Sequence, residues 1–183
     1  MRFILYICLL GGILFTSHSL MANPNEASLT KFDKRSQAFI AGLDEAQKDQ
    51  FATIKMGHGV VRAVEHTNAV IQAAVKSCKA NNPTLKPTLV KAHKDWVKSV
   101  SPALRKANDR VEQLIKKQKF AKPLVVRSYL KEYDEIVKAR HAKIKTIPVT
   151  SEADCHSLMV KMDDLDADLV SSLHEILQLD KPL

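Results

Sequence analysis

The stretch IKMGHGVVRAVEHTNAVIQAAVKSC, residues 54–78, decides the fold. Ile54, Gly57, Val61, Val64, Asn68, Ile71, Val75 and Cys78 recur at alternating intervals of three and four. That spacing puts them in one seam of an α-helix packed against other helices. Asn81-Asn82-Pro83 then stops the helix, because the residue before proline is pushed out of the helical region.

The same kind of pattern extends in both directions. Upstream, Leu29, Phe32, Phe39, Ile40 and Leu43 are helically spaced, after a polar tip at 23–28 that is expected to be disordered. Asp44 with Gln47 predicts the cap of a new helix. The register also carries through Phe51 and Ile54, so 29–79 reads equally as one helix or two. Downstream, a helix is expected over 84–118, with Leu89, Ala92, Trp96, Val100, Ala103, Ala107, Val111 and Leu114 in its seam. Pro102 marks either a kink or a fresh start capped by Ser101. The next helix opens at Pro123 and carries Val126, Leu130, Tyr133, Val137 and Ile144. The last starts after Thr150, with Cys155, Leu158, Met162, Leu165, Leu169, Ser172 and Ile176 in its seam.

The links at 80–84, 118–122 and 146–150 are short, which favours antiparallel neighbours. The expectation is an all-α chain: an antiparallel up-down-up-down four-helix bundle with an N-terminal helical extension, a single domain over 23–183. Only 5 glycines and 5% aromatics in 183 residues, with turn residues in a few clusters, exclude a β-sandwich or barrel.

Residues 1–22 read as a signal peptide. Met1-Arg2 precedes an apolar run over 3–15, too short to span a bilayer, and the polar stretch that follows allows cleavage after Ser19 or Ala22. The protein is therefore expected to be exported, into the periplasm in a Gram-negative source and otherwise secreted. Removal of the signal takes Cys8 and leaves Cys78 and Cys155. In an oxidising compartment two cysteines can pair. The expected topology brings both to one end of the bundle, so a disulfide is predicted between them.

Residue patterns for chemistry are sparse. His156, Met159 and Met162 have the spacing of soft copper ligands, but Met162 falls on the apolar seam, where methionine is an ordinary gap filler. Asp164, Asp166, Asp168 and Glu175 imitate a calcium loop, yet Leu169 stands where such a loop needs glycine. Cys155-His156 lacks the second cysteine of a c-type haem site. No phosphate-binding glycine loop, nucleophile elbow or H-E-x-x-H motif is present. No cofactor, metal or catalytic residue is assigned, and the chain reads as non-enzymatic.

Charge is the most informative feature. Residues 23–75 hold six basic and six acidic groups, 76–145 hold 19 basic and six acidic, and 146–183 hold two basic and eight acidic. An acidic last helix is expected to pack beside the basic middle and pair with it. That leaves Lys116, Lys117, Lys119 and Lys122, crowded around Phe120 at the link between two helices. Lys116 and Lys117 suit a helix C-terminus; Lys122, at the start of the next helix, does not. A basic tip with one exposed aromatic suits an anionic lipid, glycan or acidic protein surface. Nucleic acid is not expected, because no recognition motif or row of stacking aromatics is present. The expected role is an envelope or secreted binding or structural module meeting an anionic partner. The alternative is a carrier of a small apolar ligand or cofactor between the helices.

Intact mass of the exported protein should give a chain beginning at Leu20 or Asn23. A mass that includes residues 1–19 would contradict the export reading.

Overall fold

The computed structural model describes residues 24–142 and 148–182, so the expected signal peptide and Ile144 lie outside the described residues. The described residues are all-helical: α1 Pro24–Ala41, α2 Glu45–Asn81, α3 Lys86–Lys117, α4 Pro123–His141 and α5 Glu152–Leu177. A 3₁₀ turn over Pro83–Leu85 leads into α3. Among the described residues no helix is long and apolar enough to cross a membrane.

The ends of these helices follow local chemistry. α1 starts at Pro24, so residues 24–28 are helical and not a disordered tip. Proline's fixed φ is already that of a first helical residue. α1 and α2 are separate helices. The Asp44 carboxylate accepts the Gln47 backbone N–H at 2.8 Å, and the Gln47 side chain accepts the Asp44 N–H at 3.1 Å, the reciprocal capping box. α3 passes through Pro102 as one helix. Pro102 is exposed, so water can satisfy the carbonyl that loses its donor there. Ser151 caps α5 by accepting the Asp154 N–H at 3.1 Å.

α2 carries the core, with Phe51, Ile54, Gly57, Val61, Val64, Ile71, Val75 and Cys78 all buried. α2, α3 and α5 pack on one another, while α1 packs on α4 and α4 meets α3. Close pairs locate the helices along α2. A Cβ at Gly57 would lie 2.5 Å from Leu177 Cδ2 and 3.4 Å from Val111 Cγ2. At the other end of α2, Cys78 shares a buried cluster with Leu89 and Cys155. Between them, the Trp96 indole N–H donates to Asn68 Oδ1 at 2.7 Å, which explains an asparagine on the apolar seam. On the α4 side, Phe51 stacks edge-on against Tyr129 at 5.0 Å. His58 Nε2 lies 2.8 Å from Asp134 Oδ1.

Cys78 and Cys155 stand at disulfide distance, with Cα atoms 5.7 Å apart. The chain between them spans 77 residues. Cross-linking a loop of that size removes about 4–5 kcal/mol of unfolded-state entropy in the chain-entropy picture.

The expected seam of α5 needs correction. Leu165 is 40% exposed, and Leu173 and Leu177 are buried in its stead. Within α5 the buried positions are 155, 162, 173 and 177, with 158, 159, 166, 169, 170, 172, 174 and 176 half-buried, so the covered face widens toward the C-terminal end. Leu165 falls outside the covered face, while Leu169, Ser172 and Ile176 farther along the helix stay half-buried. In α3, Ile115 is buried where Leu114 is only half-buried.

The two glycines of α2 should respond differently to a methyl group. A Cβ at Gly59 would meet nothing within 4 Å, so Gly59→Ala should stabilise by about 1 kcal/mol through helix propensity. Gly57→Ala gains the same propensity but must displace buried Leu177, an overpacking cost of about 1–3 kcal/mol. Denaturant unfolding should therefore place Gly57→Ala below Gly59→Ala by that amount. Non-reducing peptide mapping should recover the Cys78 and Cys155 peptides joined. Reduction should lower the unfolding free energy by at most the about 4–5 kcal/mol of that chain-entropy figure, and by about 2–4 kcal/mol where residual unfolded-state structure offsets part of it; two freely alkylated thiols would contradict the pairing.

Candidate functional site

The turn between α3 and α4 is built around one glutamine. α3 ends at Lys117, and Gln118 leaves the helix with φ −61° and ψ 152°. Its side chain is buried. The carbonyl oxygen accepts the N–H groups of Phe120 at 2.9 Å and Ala121 at 3.0 Å, and the amide nitrogen donates to the Ala121 carbonyl at 2.6 Å. Three hydrogen bonds from one side chain hold the turn in a single shape. Pro123 then opens α4, and the Val125 N–H reaches the Lys122 carbonyl at 2.8 Å.

This turn sorts its side chains. Lys116, Lys117, Lys119 and Lys122 are all exposed. Phe120 is not the exposed aromatic that the sequence suggests. It is half-buried, with ring centroids 5.9 Å from Phe51 and 6.3 Å from Phe39. Tyr129 joins the same cluster, 6.0 Å from Phe39. Edge-on aromatic contacts of this kind favour the inward position, and the Gln118 bonds fix the backbone that delivers it. The exposed apolar groups at the tip are Leu124, 71% exposed, and Val125, 46% exposed, whereas Val126 is fully buried. The run Leu124-Val125-Val126 contained this signal, since one helix face can bury only part of three consecutive residues.

Neighbouring charges are largely engaged. Arg127 donates to Glu112 at 2.9 Å and 3.2 Å, tying α4 to α3. That hydrogen bond, helped by the Arg127 charge, holds the Glu112 carboxyl below its ordinary value against a burial effect of opposite sign. The stability it contributes is present above the ordinary glutamate range and is lost as pH falls through the depressed value. Both groups are partly exposed, so the effect is small. Phe51 begins the buried row of α2 and Cys78 ends it, so the tip beside Phe51 lies about 40 Å from the cysteine pair, at 1.5 Å per helical residue.

A second polar cluster joins α2 and α4. Buried His58 meets Asp134, whose other oxygen lies 3.6 Å from Arg62 Nε. Arg62 also pairs with Glu65, which accepts from Asn108 Nδ2 at 3.4 Å. The partner of His58 is 76 residues away and invisible to local pattern. Alongside, a surface groove of about 690 Å³ runs between the helices, lined by Gly59, Ala63, His66, Tyr133 and Val137 among others.

The remaining candidates are placed as follows. Met162 is buried, Met159 half-buried and His156 exposed. Among the described residues no group of three His, Cys, Asp or Glu side chains is placed to hold one metal ion. Residues 164–175 are continuous helix. The acidic run on α5 does not pair as expected: among the described residues no ion pair within 4.0 Å joins Asp163, Asp164, Asp166 or Asp168 to a base. Asp163, Asp164 and Asp168 are exposed, and Asp163, after the hydrogen-bonded Asp95, is among the charges that favour the ammonium form of Lys91 on α3. Arg110 is a further residue that local pattern does not single out. It is buried beside the end of α5 and donates to the carbonyls of Gln178, at 2.9 Å, and Lys181. Gln178 has the left-handed φ of 48°, and a guanidinium there satisfies carbonyls at the negative end of the α5 dipole. No protein-family model matches the chain, and no curated protein or solved structure does either.

Proposed function

We propose that this chain is an exported, non-enzymatic helical-bundle protein that meets an anionic partner through the basic turn between α3 and α4. The observation that carries the reading is the exposure of Lys116, Lys117, Lys119 and Lys122 on a turn whose backbone is held by buried Gln118. A preorganised cluster of like charges focuses field at one point and attracts a surface of opposite sign.

The reading includes an antiparallel up-down-up-down arrangement of α2, α3, α4 and α5, with α1 as an N-terminal extension. Contacts along α2 support it. Gly57 meets Leu177 and Val111, while Cys78 meets Cys155 and Leu89, so α3 and α5 oppose α2 in direction. Phe51 meets Tyr129 and His58 meets Asp134, so α4 runs with α2. This topology sets the basic turn and the cysteine pair at opposite ends. The cysteine pair suits an oxidising compartment, which supports export.

A second reading, carriage of a small partly apolar ligand, draws on the groove between α2 and α4. Its volume falls within the usual range for ligand sites. Native mass spectrometry of the protein from its own source should then show a stoichiometric adduct.

For the first reading, replacing Lys116, Lys117, Lys119 and Lys122 together by glutamine should leave helicity unchanged, because all four are exposed. Each lysine near an anionic surface contributes on the order of 1 kcal/mol, screened within about 10 Å at 0.1 M salt. The parent should bind anionic vesicles or heparin-agarose at low salt and release as salt rises, and the quadruple variant should bind neither. Equal binding by parent and variant would reduce the turn to a solvated loop.

A further inference from the structure

We infer that the anionic partner is a lipid bilayer, and that Leu124 and Val125 enter its interface between the lysines. This rests on the anion-binding reading of the same turn and adds the class of surface and the mode of docking. Leu124 is the most exposed of the large hydrophobic residues described, at 71%, and Val125 beside it is 46% exposed. A lone exposed leucine needs no explanation. Here it lies within eight residues of four exposed lysines, at one end of the molecule, directly after the rigid Gln118 turn.

That combination fits a bilayer interface better than other polyanions. Phosphate headgroups meet the lysines while the acyl boundary a few ångströms deeper takes the apolar pair. A sulfated or acidic glycan has no apolar layer to receive Leu124. Lysine also suits the headgroup level, since its stem can lie along apolar surface while the ammonium stays wet. The turn is ordered before contact by the Gln118 bonds, by Pro123 and by the Phe39–Phe51–Phe120–Tyr129 cluster beneath it. Little conformational freedom is therefore lost on docking. Of the acidic groups near the start of α2 and the end of α3, Glu112 is held by Arg127, Glu45 by Lys48 and the Asp44 carboxylate by the Gln47 N–H, while Asp49 is exposed, one carboxylate against four lysines. With no described helix able to span, docking of this kind is peripheral.

The test compares three forms of the exported protein: the parent, Leu124→Ser with Val125→Ser, and the quadruple lysine-to-glutamine variant. All share one N-terminus, so its contribution cancels. Each is sedimented at low salt with vesicles of phosphatidylcholine, with vesicles of phosphatidylcholine containing one third phosphatidylglycerol, and is run separately on heparin-agarose. The parent should bind the phosphatidylglycerol vesicles and heparin. The double serine variant should lose roughly tenfold or more in vesicle affinity, from the lost burial of two aliphatic side chains, yet keep its heparin retention. The quadruple variant should lose both. A Leu124→Trp variant should shift its emission to the blue with phosphatidylglycerol vesicles and not with heparin; native Trp96 is buried and gives a constant background. Circular dichroism should show all forms folded, since every changed side chain is exposed. Full vesicle binding by the double serine variant, or a parent that binds heparin but not vesicles, would overturn the bilayer inference and leave the anion-binding reading standing. A parent that binds neither would overturn both.

Discussion

Burying one face of a 37-residue helix requires partners along a length of about 55 Å. No single neighbour of ordinary length does that for α2. Its buried row runs from Phe51 to Cys78, and different helices cover different stretches. α3 and α5 follow it from Gly57 to Cys78, and α4 joins only over the first half, through Tyr129 and Asp134. The close approach at Gly57 sets how near α5 can come. The cysteine pair holds the same two helices at the far end.

Polar groups buried against this row decide register, because each needs one particular partner. Asn68 takes the Trp96 indole, His58 takes Asp134, Gln118 takes the backbone of its own turn, and Arg110 takes the carbonyls after α5. Among the described residues no buried side-chain nitrogen or oxygen lacks a partner. Sliding α2 by one turn would strand Asn68 and His58, sliding α3 would strand Trp96 and Arg110, and an unpaired buried polar atom costs more than a misplaced methyl. Hydrophobic burial therefore supplies the drive, while the polar pairs narrow the choice to one arrangement.

The same arrangement separates charge. α5 presents Asp163, Asp164 and Asp168 to solvent on its outer side, and the α3–α4 turn presents four lysines at one end. The two sets stand on different elements of the surface. Charge held apart in this way gives the surface a direction. Directional fields orient a protein on approach before any short-range contact forms.

The sequence by itself determined the helical class, the place of most helix ends and the α2 seam. Helix periodicity, proline, and caps such as Asp44 with Gln47 act over three or four residues, within reach of local reading. It also pointed to the cysteine pair, because the antiparallel links expected from the sequence bring both cysteines to one end. Only the tertiary structure decided which way Phe120 points, since its partners Phe39 and Phe51 lie 81 and 69 residues earlier. The same holds for the exposure of Leu124, for the burial of Gln118 and Arg110, and for the exposure of Leu165. Which positions of a seven-turn helix are covered is not fixed by helical spacing alone. It is set by the surface the helix lies against, and no window of local sequence contains that surface.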